Sequence, residues 1–290
     1  MQASLSECTR DRLAQLVAAR GLAARGAPWA WLDGGRTNQT WRVAGPSREI
    51  VVKLFAQDDQ NPLFPNDPLR EIQVLLHLEG LGLAPKLLDH FATPFGSCVI
   101  YEHLPGQRWQ NDPAQAANLL RRLHAVAPPD GLRTAPDGSC ALRQQGEMIL
   151  ARCPPAQASW ARALRPKTDI APAGVTNLLH GDPVPGNIIG ASQDWRLIDW
   201  QCPGIGDPCE DIAIFLSPAM QLAYRGKALS RLEIQDFLKA YGDAKILERY
   251  AILAAWYHWR MLAYCLWQQA NGDLQAETRA QAEAEALHLS

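Results

Sequence analysis

The side chains best suited to chemistry are concentrated in His180-Gly181-Asp182-Pro183-Val184-Pro185-Gly186-Asn187 and, twelve positions past Asn187, in Ile198-Asp199-Trp200. Two carboxylates and an amide at the ends of short neighbouring strands can converge within a few ångströms. One carboxylate can then orient an attacking hydroxyl and take its proton. The other, with an amide oxygen, can hold Mg²⁺ against phosphate oxygens, which is the arrangement phosphoryl transfer requires. Mg²⁺ keeps several waters, so two protein ligands suffice. The two carboxylates are Asp182 and Asp199, and the amide is Asn187. His180 taken alone reads as a buried, hydrogen-bonded structural histidine rather than a catalytic one.

These groups need elements to position them. Within a compact β unit around 176–200, an apolar strand delivers His180 and Asp182 to a Pro/Gly-constrained loop, and Arg196 to Trp200 makes a return strand. Upstream, residues 4–20 read as an amphipathic helix, with Leu5, Leu13, Leu16 and Val17 as its apolar set. Trp29 to Val43 reads as a hairpin with a Gly-rich bend, and Glu49 to Phe55 as a third strand. Leu69 to Leu78 is a helix stopped by Gly80 and Gly82. Two more strands fit at 86–91 and 97–103. Leu104-Pro105-Gly106 breaks the pattern and is the expected hinge. Beyond it the reading is helical at 113–125, near 141–165 and from Asp207 onward. A sheet followed by a helical body is an α+β plan. The expected division is a nucleotide-binding lobe over 1–103 and a helical lobe over 104–290.

Composition narrows the alternatives. The chain has 290 residues, 47% apolar and 20% charged, with a formal net charge of −2, so no nucleic acid or anionic membrane partner is expected. The seven cysteines are odd in number and form no C-x-x-C pair, which argues against a disulfide framework or a thiolate zinc site. No apolar run of about 18 residues indicates a membrane span. The N-terminal stretch lacks the apolar core of a signal peptide. A cytoplasmic monomer or homodimer is the expectation.

His180-x-Asp182 followed by Asn187, then Ile198-Asp199-Trp200, resembles the active site of the aminoglycoside phosphotransferase and choline kinase family, which shares the protein kinase fold. The resemblance runs over roughly residues 30 to 215 and includes further pieces in order. Gly34-Gly35-x-Thr37-Asn38-x-Thr40-Trp41 is similar to the nucleotide-covering loop and does not fit a Walker-type P-loop. Lys53 stands where the phosphate-pairing lysine lies, and Glu71 is placed to hold it. Tyr101-Glu102-His103-Leu104 looks like the hinge whose backbone reads adenine. Leu119-Leu120-Arg121-Arg122-Leu123-His124 and Gly206-Asp207-Pro208-x-x-Asp211 match two further segments, the latter a brace below the active site. Pro183 departs from the apolar residue expected there and stiffens the loop.

The resemblance implies a bilobal kinase-like fold using ATP and Mg²⁺ on a small-molecule hydroxyl, with Asp182 as the catalytic base, Asn187 and Asp199 as metal ligands and His180 supporting the loop. Gly34, Gly35, Thr37, Asn38, Lys53, Glu71, Glu102 and Leu104 would be the nucleotide-binding set. The acceptor is read from the aromatic helix Tyr250 to Trp267, where Trp256 and Trp259 share a face. That face could be core packing. It could instead be an aromatic box for an amine, since cation–π attraction reaches about 2 kcal/mol or more once desolvated. With Glu210 as a further acceptor-side candidate, an amino alcohol such as choline or ethanolamine is the preferred substrate. The alternatives are an aminoglycoside phosphotransferase, a thiamine or sugar kinase, and a non-catalytic nucleotide-binding relative.

Overall fold

A computed structural model describes residues 7–32, 37–55 and 60–289. Helix α1 (Glu7–Ala19) is followed by strands β1 (Trp29–Trp31), β2 (Gln39–Ala44) and β3 (Glu49–Leu54), helix α2 (Pro68–His77), and strands β4 (Leu87–Thr93) and β5 (Gly96–Glu102). The strands make one antiparallel sheet in the order β1-β2-β3-β5-β4. Alternation along a strand separates the two faces of β3. Ile50, Val52 and Leu54 pack with Leu13 and Val17 of α1. Val51 joins the core formed with α2 and the helical body. Lys53 has the parity of Val51, so the pleat sends its ammonium toward α2.

Asp67 caps α2 by accepting from the Leu69 and Arg70 N–H groups, with Pro68 at the first helical position. Glu71, Val74, Leu75 and Leu78 are buried at i, i+3, i+4 and i+7. Glu71 is thus the charged member of an otherwise apolar stripe, and a buried carboxylate there demands a partner.

The rest of the chain contains β6 (Gln107–Arg108), α3 (Pro113–His124), β7 (Arg133–Thr134), α4 (Gly138–Leu150), α5 (Pro155–Ala163) and β8 (Asn177–Leu179). A 3-10 turn over Pro185–Asn187 leads into β9 (Ile188–Ala191), β10 (Asp194–Leu197) and β11 (Gly204–Gly206). Helices α6 (Cys209–Leu216), α7 (Pro218–Arg225), α8 (Arg231–Tyr241), α9 (Ala244–Ala270) and α10 (Ala276–Leu289) complete it. Two small sheets, β10-β9-β6 and β7-β11-β8, sit among these helices. The helix expected near 141–165 is two helices, because Pro154 and Pro155 interrupt the backbone ladder between α4 and α5. The plan is the expected bilobal α+β one, an antiparallel sheet with its helix set on a mostly helical body. Among the described residues no helix is long and apolar enough to cross a membrane.

Candidate active site

Lys53 Nζ lies 2.5 Å from Glu71 Oε2 and 2.5 Å from Asp199 Oδ1. Burial by itself would lower the lysine pKa, but Asp199 and Glu71 more than offset it and hold the ammonium above its ordinary range. Burial raises the Glu71 carboxyl, an effect that Lys53 only partly offsets. β3, α2 and the segment after β10 therefore meet at one cation.

Asp182 and Asn187 come from the turn after β8. Gly181 adopts φ +82°, and a Cβ there would sit 2.1 Å from the Cys202 carbonyl oxygen, so the turn requires glycine. The loop is held from below by Asp211, in the first turn of α6. Its carboxylate accepts from the His180 N–H at 2.8 Å, the Gly181 N–H at 2.9 Å and His124 Nε2 at 3.1 Å. Burial alone would raise the Asp211 carboxyl, yet His124, His180 and these donors hold it below the usual carboxylate range. The brace expected of Asp211 is in place, with His124 of α3 as a component of it.

His180 carries the loop's second support. Its Nδ1 accepts from the Asp182 N–H at 3.2 Å, so its Nε2–H is free to donate to the Ile198 carbonyl at 3.0 Å. Burial pushes this histidine below its ordinary pKa and keeps it neutral, as that pattern of bonds requires. The bond to Ile198 ties the Asp182 turn to Asp199, the next residue. Asp199 itself holds a left-handed φ of 64°, a strain on the order of 1 kcal/mol for a residue with a Cβ.

Asn187 sits at the end of the 3-10 turn, and its Nδ2 donates to the Asp182 carbonyl at 2.9 Å and to Asp182 Oδ2 at 3.3 Å. With the amide nitrogen so engaged, Oδ1 is the arm left for a cation. Asn187 and Asp199 offer one amide and one carboxylate oxygen, hard donors that fit Mg²⁺ with retained waters.

Two clefts meet at these residues. The first, about 230 Å³, runs under the sheet between Leu32, Val51, Tyr101, Leu104, Ile189 and Ile198, with Lys53 at its inner end. The second lies beside α7 and α9, where Phe64, Met220, Tyr224 and Tyr264 face Asp182. Asn187 and Asp199 line both.

The other expected site residues divide sharply. Glu102 and Leu104 line the first cleft. The Glu102 side chain, however, pairs with Arg48 at 3.3 Å and Arg196 at 3.5 Å. The Glu102 and His103 N–H groups already donate to the Lys86 and Glu49 carbonyls, so they are not donors for a ligand. Thr37 lines the second cleft rather than the first. The Asn38 side-chain amide is buried and donates to Asn66 and Gln201, so it does not point into the first cleft. Gly34 and Gly35 lie outside the described residues.

The acceptor-side expectations for Glu210, Trp256 and Trp259 are also corrected. None of the three lines either cleft. Glu210 is buried in a two-bond pair with Arg260 of α9, at 2.9 and 2.7 Å. Trp259 is fully buried, donates to the Ala161 carbonyl at 2.7 Å, and stacks so close to α4 that only Gly146 fits opposite it. Trp256 donates to Thr168 at 3.1 Å on the far side of the body. The aromatics that do face Asp182 are Phe64, Tyr224 and Tyr264. Tyr264 crosses Phe64 edge-on at 5.2 Å, and its hydroxyl accepts from Asn61 at 2.9 Å. Periodicity in α9 does not single out Tyr264, because apolar residues on several faces of that helix leave unsaid which face is exposed to a cleft, and Phe64 and Tyr224 come from a loop and from α7.

A lysine–glutamate pair under an antiparallel sheet, set over a turn presenting Asp, Asn and a second Asp, defines a kinase-like phosphotransferase. The chain belongs to the phosphotransferase enzyme family, whose sequence model matches residues 29–256. It shares its fold with a choline kinase from Streptococcus pneumoniae, at TM-score 0.70 and 19% identity over 98% of this chain and 100% of the other. A choline/ethanolamine kinase family protein from Mesorhizobium loti is similar at TM-score 0.66 and 17% identity, over 97% of this chain and 99% of that one. A spectinomycin phosphotransferase, solved with ADP and spectinomycin, is similar at TM-score 0.58 and 16% identity, over 96% and 92% of the two chains. Among curated proteins no sequence matches.

Proposed function

We propose that this enzyme transfers the γ-phosphoryl group of ATP to a hydroxyl of a small alcohol, with Mg²⁺, and that the alcohol is preferentially an amino alcohol such as choline or ethanolamine. The observation that carries the reading is the meeting of two clefts at Asn187 and Asp199, with Lys53 on one side and Asp182 on the other. A nucleotide in the first cleft would bring its terminal phosphate to that junction. An alcohol in the second would present its hydroxyl to Asp182.

In this reading the leucine, valine and isoleucine walls of the first cleft take the base, and the backbone beyond Leu104 reads its edge. Lys53, steadied by Glu71, binds phosphate oxygens. Asn187 and Asp199 would hold the metal, which would supply positive charge to neutralise the transferring phosphoryl group. Asp182 accepts the hydroxyl proton as the oxygen–phosphorus bond forms and the bridging phosphorus–oxygen bond to ADP breaks. Asp211, His124 and His180 keep the Asp182 turn still, so catalysis is by positioning and charge rather than covalent attachment.

The acceptor preference is supported by the wall of the second cleft. Its charged members among the described residues are Asp182 and Asp199, and the rest are aromatic, thioether, hydroxyl or neutral amide groups. A polycationic sugar needs several carboxylates, whereas one ammonium is served by Tyr224, Tyr264 and Phe64 through cation–π attraction. The choline and ethanolamine kinases among the similar structures point the same way. Steady-state ATP consumption against amino alcohols, sugars, thiamine-like alcohols and aminoglycosides tests this. The expected result is a kcat/KM for an amino alcohol well above the others. Turnover confined to aminoglycosides would reverse the acceptor assignment.

A further inference from the structure

Three side-chain amides with no part in the chemical step meet at one point, and one of them, Gln201, also lines the second cleft. Asn38 Nδ2 donates to Asn66 Oδ1 at 2.8 Å and to Gln201 Oε1 at 2.7 Å, and Asn66 Nδ2 returns a bond to Asn38 Oδ1 at 2.9 Å. The Gln201 carbonyl also accepts from the Asp67 N–H at 2.9 Å. Gln201, which is buried, is thus held from the sheet side by both its side chain and its main chain.

Each partner belongs to a different part of the site. Asn38 immediately precedes β2, whose Thr40 is paired with Lys53. Asn66 and Asp67 lead into α2, which carries Glu71. Gln201 follows Asp199 by two positions. The cluster therefore sets the spacing of the three elements that supply the Lys53–Glu71–Asp199 group.

Asp199 needs such an anchor. A non-glycine residue at φ 64° persists only where its surroundings over-determine it. On its N-terminal side, Ile198 donates to the Asn187 carbonyl at 2.9 Å and accepts from His180 Nε2 at 3.0 Å. On its C-terminal side the ties to the sheet lobe run through Gln201. Amides suit the task because they fix distances without adding charge to a cluster that already holds two carboxylates.

We propose that the Asn38–Asn66–Gln201 cluster is a clasp between the lobes that positions Asp199 for the metal. These are positioning residues, and the inference rests on the reading of Asp199 as a metal ligand. Cutting the clasp should weaken metal-dependent nucleotide binding while leaving metal-free binding in place.

The test is calorimetry of ATP binding to the full chain with and without Mg²⁺, for wild type, Gln201→Ala, Asn38→Ala, the double variant and Asp199→Ala. Gln201→Ala is expected to cut the gain in affinity conferred by Mg²⁺ about tenfold, the worth of one buried hydrogen bond. Metal-free affinity should stay within about twofold, and the double variant should be no worse than Gln201→Ala by the same margin, since the two residues share one bond. If Asn38→Ala fails to fold, Gln201→Ala carries the test alone. Equal losses with and without Mg²⁺ would make the cluster merely structural and overturn the clasp. So would a full Mg²⁺ gain in Gln201→Ala while Asp199→Ala abolishes it. A full Mg²⁺ gain in Asp199→Ala would overturn the metal-ligand reading, and the clasp with it.

Discussion

Replacing Lys53 by methionine isolates the electrostatics of the site from its shape. Lys53 and Glu71 have side chains 2% and 1% exposed, and Asp199 is 25% exposed. Removing the ammonium leaves two carboxylates facing each other with no counter-charge in a largely dry setting. Breaking a buried pair in this way costs about 3–5 kcal/mol. At about 2–4 °C per kcal/mol for a chain of this class, the thermal midpoint should fall by about 6–20 °C. The loss should also depend on pH with a definite sign. Burial already raises the Glu71 carboxyl, and losing the Lys53 charge that partly offsets this leaves its folded-state pKa further above the unfolded value. The penalty is then absent at low pH, where both states are protonated, and grows as pH rises through the folded-state pKa. Thermal unfolding followed by circular dichroism should show the gap between Lys53→Met and wild type narrowing from about pH 8 to about pH 5. Adding Glu71→Met should recover much of the loss, because a buried pair replaced by apolar groups is often neutral or better. A midpoint within about 2 °C of wild type at every pH, with no recovery in the double variant, would refute the view of Lys53 as a buried, doubly paired cation.

Asp182→Asn should retain nucleotide affinity by calorimetry while kcat falls about 10²–10⁴-fold. Tyr264→Ala should raise the KM for choline by about tenfold or more, the loss of one desolvated cation–π contact, with the KM for ATP unmoved. Trp259→Ala should instead destabilise the fold by about 3–5 kcal/mol, visible in denaturant titration, without a selective change in acceptor KM. Gly181→Ala should give little or no folded enzyme, since its Cβ would lie 2.1 Å from the Cys202 carbonyl; soluble, active protein would contradict the turn geometry.

The parts of this site that were readable beforehand are those written locally. Asp182 and Asn187 are five positions apart on one turn, and Asp199 closes the next hairpin, so spacing alone brings them together. Lys53 and Glu71 were readable for a different reason. A period of two on β3 and of 3.6 on α2 each assigns a face, and the two faces must meet. The acceptor wall obeys no such rule. It gathers Phe64 from a loop, Gln201 from the segment after β10, Tyr224 from α7 and Tyr264 from α9. Of its aromatic members only Tyr264 lies on α9, and Trp256 and Trp259, the tryptophans that looked most like a box, line neither cleft. The partners of the Asn38 side chain were not legible, because an asparagine after a glycine-rich bend suits either a phosphate or a buried network. Only tertiary contact with Asn66 and Gln201 decides between them. The two-residue strands β6 and β7 owe their existence to distant partners, β9 and β11, and carry no pattern of their own.

The most direct test of the central claim is phosphorus NMR of the full-length enzyme with ATP, Mg²⁺ and choline, run beside Asp182→Asn. Loss of the γ-phosphate signal matched by equal growth of ADP and a choline phosphomonoester, and its near absence in the variant, is the predicted result. ATP bound but never transferred to choline, ethanolamine or any other alcohol in the panel, or transfer at an equal rate by Asp182→Asn, would contradict it.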